Sequence, residues 1–315
     1  IILFIDSYSS YLLVYKSLKY LSQLKSFKKV YILTSYQERQ VKIPGFTIAL
    51  KIWNSENPNP VLCLHGKMDN AASFDLLAPL LSDRQLVAVD YPGTGLSSHY
   101  PEGVVPHWKN DAFLMCHVIK ALGWKSFDII AHSLGSFLAT VITIAQPKQV
   151  KKLVFLDILG PTVHIIENSM AYLPLNIESY LISGKQPRTV FSSLDAAIKD
   201  RMNIGNISYQ AAQALVQRGT KQDNEGWVWT FDPRLRCISA TIPHEDEIRA
   251  MFRAIDVPVC LILANQGVSY PESVFKGRSQ SIKNLTIHRV QGGHHVHMDD
   301  PVPVAEIISQ YLSSK

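Results

Sequence analysis

The sequence predicts an α/β fold: a mostly parallel central sheet flanked by helices, with a helical cap insertion. Short apolar, β-rich runs alternate with segments of helical apolar spacing, as a mostly parallel sheet requires. The alternation breaks once, from about residue 160 to 250, where the chain turns helical and aromatic with no buried-strand run. We therefore expect a core made of residues 41–159 and 251–315, a cap at 160–250, and an N-terminal extension at 1–40.

The predicted elements follow one another in the order that this fold needs. Apolar runs place one or two strands in 41–53 and single strands at 60–64, 85–89, 127–131, 152–156, 258–263 and 285–290. Helical spacing of apolar residues places helices at 111–122, 134–145 and 302–312. No internal repeat interrupts this order.

Composition and charge limit the class of protein. A chain of 315 residues that is 47% hydrophobic can bury one large core. The net charge is +5, but five lysines and one aspartate place +4 of it in the first 35 residues. The remainder is nearly neutral and carries no basic stripe, so we expect no nucleic-acid partner.

Cysteine usage and the N-terminal tract bear on location. The four cysteines have no paired spacing, which favours free thiols and a cytoplasmic location. Residues 1–15 are apolar but interrupted by Asp6 and too short to cross a bilayer. We expect an extension without catalytic consequence and no stable membrane span. The sequence leaves the oligomeric state open.

The segment from Phe127 to Phe137 has the pattern of a nucleophile elbow. An apolar strand runs into Ser133 and then directly into an apolar helix. A serine at the tip of such a turn is held out at the edge of the sheet, and the turn closes only when the residues two before and two after it are small. Ala131 and Gly135 meet that demand.

Three further motifs stand in a consistent order around this elbow. They are Leu64-His65-Gly66 after a strand, the turn Asp90-Tyr91-Pro92-Gly93-Thr94-Gly95-Leu96-Ser97, and Gly292-Gly293-His294 followed by Asp299 and Pro301. With them, the chain resembles the α/β-hydrolase superfamily from about residue 41 to the end. More narrowly, the strings VLCLHGKMDN (61–70), GLSSHY (95–100), QRG (217–219) and HM (297–298) resemble the serine hydrolase-like proteins, and WTFDPRL (229–235) resembles the cap segment of their bacterial relatives.

The resemblance implies a set of catalytic roles. Ser133 would attack an acyl carbon, and His294 would accept its proton and later return it to the leaving group. The backbone N–H groups of Lys67 and Leu134 would form the oxyanion hole. The Lys67 ammonium either reaches the pocket and favours an anionic or polar substrate, or extends into solvent.

The acidic member of the triad departs from the common pattern. After the strand ending near Leu263, where many relatives carry an aspartate, residues 264–270 contain no carboxylate. Asp157 ends the preceding strand, and some α/β-hydrolases place their acid there. We predict that Asp157 orients His294. The alternatives are a structural role for Asp157 as a capping residue, with Asn265 or Glu272 as the partner.

Several polar residues are predicted to be structural. Asp90 braces its glycine-rich turn, while His65 and His132 are packed core histidines. The H-x-H-x-D string that ends at Asp299 is typical of some zinc sites, but no second cluster in the sequence supplies the other ligands. We therefore predict no metal and no cofactor, with His297 packed behind His294 and with Asp299 or Asp300 capping the last helix.

The expected partner is a small-molecule acyl substrate. The cap would cover Ser133 with aromatic side chains, of which the candidates are Tyr172, Phe191, Trp227, Trp229 and Phe231. The resemblance implies hydrolysis of a small to medium ester or thioester through an acyl-enzyme. The alternatives are a carbon–carbon bond hydrolase of the same fold and an inactive binding protein. A serine at the elbow excludes the dehalogenase and epoxide hydrolase chemistries, which need a carboxylate there.

Overall fold

The eight strands of the central sheet are formed by the apolar runs of the sequence. The computed structural model describes residues 35–161, 169–183, 187–237 and 243–314, with side chains except at 169–172. The strands are β1 (Tyr36–Ile43), β2 (Phe46–Trp53), β3 (Pro60–Leu64), β4 (Gln85–Val89), β5 (Phe127–His132), β6 (Val150–Leu156), β10 (Val259–Gln266) and β11 (Leu285–Gly293). Strands β7 to β9 belong to the cap.

The strand order in the sheet is β1-β2-β4-β3-β5-β6-β10-β11. Strand β2 pairs antiparallel with β1 and β4, and every other pairing is parallel. The predicted mostly parallel sheet is therefore confirmed. The predicted boundary at residue 40 falls inside β1, because the first five residues of this edge strand are mostly polar and all exposed, and only Val41 and Ile43 are apolar and buried. Residues 1–34 of the predicted extension lie outside the described residues.

Helices cover both faces of the sheet. They are α1 (Trp108–Leu122), α2 (Leu134–Ala145), α6 (Glu245–Arg253), α7 (Glu272–Ser279), α8 (Val296–Asp299) and α9 (Pro301–Ser313). Successive strand residues point to opposite faces, so Leu62 and Leu64 pack with α1 and α2, whereas Val61 and Cys63 pack with α9. Both faces are buried, which explains the continuous apolar runs.

The cap combines helices with a small sheet. Its helices are α3 (Ser169–Ile182), α4 (Leu194–Gly205) and α5 (Tyr209–Gly219). Its strands β7 (Val190–Phe191), β8 (Thr220–Asp223) and β9 (Gly226–Trp229) pair antiparallel in the order β7-β9-β8. The cap is helical as predicted but also contains these three strands, which the sequence did not indicate because strands of two to four residues are too short to give an apolar pattern.

A buried arginine joins the cap to the edge of the sheet. The guanidinium of Arg218, at the end of α5, donates to both carboxylate oxygens of Asp90 and to the carboxylate of Glu38 in β1. Asp90 also accepts from the backbone N–H groups of Ala71 and Leu96. Asp90 thus braces its turn, as the sequence suggested, and also anchors the cap.

A second buried arginine contacts the chain where it leaves the core for the cap and where it returns. Arg278 in α7 donates to the carbonyl groups of Leu159 and Pro161 on the way out. It also pairs with Glu245, at the start of α6, on the return. Gly160 has φ of 88°, and a Cβ there would lie 2.8 Å from the guanidinium. A glycine is therefore needed at that point.

All four cysteines are free, and Cys63 and Cys260 are buried. Within the described ranges, no helix combines the length and the apolar character needed to cross a bilayer.

Candidate active site

Ser133 occupies a strained turn between β5 and α2. Its backbone has φ of 50° and ψ of −120°, a conformation that costs energy for a residue with a side chain. Gly135 lies against the neighbouring strand β3, where a Cβ would come within 2.3 Å of the Leu64 carbonyl oxygen. The small residue predicted at this position is thus required by close backbone contact.

The structure brings Ser133, His294 and Asp157 together from three separate strand ends. His294 follows β11, and its Nε2 lies 3.0 Å from Ser133 Oγ. Its Nδ1 lies 2.8 Å from Asp157 Oδ2. Because a carboxylate only accepts hydrogen bonds, Nδ1 carries the proton and Nε2 is free to accept from the serine hydroxyl.

Asp157 is fully buried, and backbone groups from the end of β10 and from the loop after it hold its carboxylate. Oδ1 accepts from the Ala264 backbone N–H at 2.8 Å, and Oδ2 accepts from that of Val268 at 3.0 Å. At Gly267 a Cβ would come within 2.0 Å of Oδ2. The alternative partners Asn265 and Glu272 are exposed, and neither has a hydrogen bond to His294 among the described residues.

The predicted oxyanion donors are the N–H groups of Leu134, directly after the serine, and of Lys67, which lines the same cavity as Ser133. Leu134 is the first residue of α2, so its N–H has no partner within the helix. The N–H of Lys67 donates to no other group in the part of the chain that the structure describes. Both N–H groups are therefore available to an external acceptor, and the N-terminus of α2 favours a negative charge there.

A cavity of about 580 Å³ opens at Ser133 and His294. The cap contributes Ile204, Trp229 and Phe231 to its wall. Of the other aromatic candidates, Phe191 and Trp227 pack inside the cap, and the side chain of Tyr172 lies outside the described part.

Cationic side chains also line this cavity. Lys67 is exposed at its wall, where desolvation by the surrounding protein lowers the pKa of its ammonium. Arg236 lies over the ring of Phe231, 4.8 Å from the ring centroid. Lys67 thus both lines the cavity and contacts solvent.

The histidines near the site are buried and packed. His65 is held between Gly66 and the turn at Tyr91 and Thr94. His297 lies 2.9 Å from the Ser73 hydroxyl, and burial lowers its pKa to about 3. Its ring lies against that of His132, with centroids 4.3 Å apart and planes tilted by 42°, rather than directly behind His294.

Of the two residues predicted to cap the last helix, Asp300 takes the N-cap position of α9, which leaves Asp299 with a different contact. Its Oδ1 accepts from the backbone N–H of Ser208 in the cap. An aspartate beside a helix start is normally read as a cap. The contact with Ser208 joins residues 91 positions apart, so no local pattern predicts it.

Asp69 and Arg201 are site residues that the sequence did not indicate. Arg201 in α4 donates to Asp69 Oδ1 at 2.7 Å. Burial alone would raise the pKa of Asp69, but His295 and Arg201 outweigh that effect and hold the pKa well below its usual range. The two residues are 132 positions apart, so only the folded chain reveals the pair.

With the fold and the geometry established, similarity to known proteins places the chain in a family. The family described as alpha/beta hydrolase fold matches residues 59–186. "Serine hydrolase-like protein 2" of Homo sapiens is 34% identical over 295 residues, covering 87% of this chain and 93% of that protein. The chain belongs to the serine hydrolase-like family of α/β-hydrolases.

Other relatives support the same assignment. "Serine hydrolase-like protein" of Danio rerio is 30% identical, covering 92% of each chain. The crystal structure of a hypothetical protein from Pseudomonas aeruginosa PAO1 is 29% identical, has a TM-score of 0.81, and covers 88% of this chain and 99% of that one. A thioesterase domain from the curacin biosynthetic pathway has a TM-score of 0.79 at 24% identity, which shows the shared fold alone.

Proposed function

We propose that this protein is a serine hydrolase that cleaves a small to medium carboxylic ester or thioester through an acyl-enzyme. The observation that carries the proposal is the continuous hydrogen-bonded series from Ser133 through His294 to Asp157. Nucleophile, base and acid stand in the order that acyl transfer requires.

In the first half of the reaction, His294 Nε2 takes the proton of Ser133 as Oγ attacks the carbonyl carbon. Asp157 stabilises the imidazolium that forms, and its own charge is secured by two backbone N–H groups. The N–H groups of Lys67 and Leu134 donate to the tetrahedral oxyanion. His294 then protonates the departing alcohol or thiol, which leaves an acyl group on Ser133.

In the second half, water enters the site and His294 removes its proton. The water oxygen attacks the acyl carbon, and the same N–H groups stabilise the second oxyanion. Collapse releases the carboxylic acid and returns the proton to Ser133. No step requires a metal or an organic cofactor.

The shape and lining of the cavity support an acyl substrate of modest size. Its volume of about 580 Å³ lies within the usual range for small-molecule sites. Trp229 and Phe231 offer apolar surface to an acyl chain, while Lys67 and Arg236 suit a polar or anionic group on the same substrate. Neither alternative function, carbon–carbon bond hydrolysis or substrate binding without turnover, is favoured by a specific observation.

Fluorophosphonate labelling tests the proposal directly. The wild-type protein should gain one phosphonyl adduct, located on Ser133 by peptide mass spectrometry, and should hydrolyse p-nitrophenyl acetate or butyrate. Ser133→Ala should lose the adduct and several orders of magnitude in turnover.

The matched control is Ser136→Ala. Ser136 is a buried serine one turn further along α2, and its hydroxyl donates to the Ala131 carbonyl. This variant should keep both the label and the activity. An unlabelled wild-type protein would favour the binding-protein alternative, whereas labelling with turnover of a diketone but no ester would favour carbon–carbon cleavage.

A further inference from the structure

Asp69, His132 and His295 form a buried cluster beside the proposed catalytic residues. Asp69 lies in the loop after β3 that also contains Lys67, His132 ends β5, and His295 follows His294. Asp69 Oδ2 lies 3.3 Å from His295 Nε2 and 3.8 Å from His132 Nδ1. One ligand atom from each residue lies within 4.8 Å of the other two.

The hydrogen bonds of the cluster leave two acceptors facing each other. His132 Nε2 lies 3.0 Å from the His294 carbonyl oxygen, which only accepts, so Nε2 carries the ring proton. His132 Nδ1 is then a lone pair directed toward the Asp69 carboxylate. Neither His132 Nδ1 nor Asp69 Oδ2 has a hydrogen-bond partner in the described structure.

This arrangement is unfavourable unless something positive lies between the two atoms. Asp69 and His132 are 3% and 1% exposed, and buried acceptors without donors cost free energy. A hydrogen bond from His295 Nε2–H to Asp69 Oδ2 would satisfy the carboxylate but would leave His132 Nδ1 without a partner. A cation bound by all three atoms satisfies each of them.

We propose that Asp69, His132 and His295 bind a divalent transition-metal ion such as Zn²⁺. Bonds of about 2.0–2.1 Å to nitrogen and oxygen in tetrahedral geometry put ligand atoms about 3.3 Å apart. Asp69 and His295 already have that separation, and Asp69 and His132 need to close by about half an ångström. All three residues line the cavity at Ser133, which provides a path for the ion and leaves the fourth position open to water.

The donor set favours a transition metal over Mg²⁺ or Ca²⁺. Two imidazole nitrogens and one carboxylate suit Zn²⁺, Co²⁺, Ni²⁺ or Cu²⁺, whereas Mg²⁺ and Ca²⁺ prefer oxygen ligands. Arg201 already offsets the charge of Asp69, so binding depends on the histidines.

Neighbouring contacts orient two of the three ligands in the way that metal sites usually require, whereas His295 Nδ1 has no hydrogen-bond partner among the described residues. A metal-bound histidine commonly donates its other N–H to a carbonyl or carboxylate, as His132 does to the His294 carbonyl. Arg201 likewise holds the second oxygen of Asp69. The H-x-H-x-D string therefore contributes only His295, while His297 contacts Ser73.

The bound ion would inhibit the hydrolase, an inference that rests on the proposed function. His132 precedes the proposed nucleophile, and His295 follows the proposed base. Contraction of the cluster around an ion moves both neighbours, and small displacements of reacting groups reduce turnover strongly. Zn²⁺ should therefore lower esterase activity about tenfold or more, and EDTA should restore it without being required for activity.

Cobalt binding tests the site without relying on catalysis. The full chain, freed of metal with EDTA, is titrated with Co²⁺ and should bind one equivalent with the visible absorption of tetrahedral Co²⁺, displaced by Zn²⁺. His295→Gln and Asp69→Asn should lose the absorption, whereas Ser133→Ala should keep it. His297→Gln removes a buried histidine of the same stack and should retain it, with His288→Gln as an exposed control.

The proposal is overturned if the wild-type chain binds no Co²⁺ or Zn²⁺, or if His295→Gln binds as the wild type does. His295 lies at the cavity wall and is 9% exposed, so its replacement should fold even if Asp69→Asn does not. Cobalt binding by a chain that no fluorophosphonate labels would support the metal site and refute only the proposed hydrolase.

Discussion

The carboxylate of Asp157 is held by the end of β10 and the loop after it, a segment (264–270) that has no carboxylate of its own. The backbone N–H groups of Ala264 and Val268 bind the two oxygens of Asp157. Donors fixed in this way hold a buried carboxylate in one orientation. The segment 264–270, where many relatives carry the acid, here supplies hydrogen-bond donors to the carboxylate of Asp157 instead.

We predict that Asp157→Asn lowers kcat steeply near neutral pH while leaving the fold intact. An amide keeps the shape of the side chain but cannot stabilise the imidazolium, and losses of about 10⁴-fold are known for this change in serine hydrolases. Steady-state kinetics with p-nitrophenyl butyrate measure the effect. Glu272→Gln, at an exposed position, should be nearly silent. A large loss of kcat in Glu272→Gln with little change in Asp157→Asn would instead assign the role of the acid to Glu272.

Gly267 should act as a positioning residue. A Cβ there would lie 2.0 Å from Asp157 Oδ2, so Gly267→Ala should displace the carboxylate from Nδ1 of His294. We expect kcat to fall at least tenfold with little change in KM. Gly277→Ala is the control, because its Cβ meets only the guanidinium of the half-buried Arg249. Equal kcat values for the two variants would contradict the role of Gly267.

At the scale of elements, the core was predictable and the cap was not. All predicted strands have counterparts. The inner strands are buried on both faces and give continuous apolar runs, whereas the edge strand β11 is largely exposed and its run is broken by polar residues. Strand β10 continues to Gln266 and β11 to Gly293, beyond the predicted ends, where the run becomes polar and glycine-rich. In the cap, polar strands such as Thr220–Asp223 have no pattern that separates them from loops.

The candidate site divides in the same way. Ser133 and His294 stand in local motifs, so the sequence alone indicated them. Asp157 needed the absence of a later carboxylate as a second clue, and the structure brings it to His294. Asp69 and His132 could not be linked from sequence, since their contact depends on the pairing of β5 with β3, which brings the end of β5 beside the loop after β3.

The cap anchor at Arg218 makes a testable contribution to stability. Arg218→Met leaves Asp90, which is fully buried, without its counter-ion, and breaking a buried pair in this way costs about 3–5 kcal/mol. Urea denaturation followed by circular dichroism measures the loss. Arg188→Met removes an exposed cap arginine that pairs with Asp223 and Glu225 and should change the midpoint little. Similar midpoints for both variants would exclude Arg218 as an anchor.

At the scale of the whole molecule, one buried acid should make stability depend on pH. Burial raises the pKa of Asp111 to about 7, against the opposing hydrogen bond from the Tyr100 hydroxyl. The folded chain thus binds a proton that the unfolded chain releases near pH 4. The contribution of Asp111 to stability is fully present below pH 4 and is lost as the pH rises toward 7.

Asp111→Asn should remove this dependence. The difference in Tm between variant and wild type should become more positive from pH 5 to pH 8, with each kcal/mol corresponding to roughly 2–4 °C in a chain of this size. Scanning calorimetry across that range measures it. Asp256→Asn, at an exposed site, should follow the wild type. A Tm difference independent of pH would show that Asp111 ionises normally.

Arg278 limits how the cap can move away from Ser133. One guanidinium, 0% exposed, holds the outgoing chain at Leu159 and Pro161 and the returning chain at Glu245. Separating these two chain segments would leave the buried charge of Arg278 without its hydrogen-bond and ion-pair partners. We therefore expect this end of the cap to stay fixed while its far side moves to admit substrate. Asp157, two residues before Leu159, should then keep its position during opening.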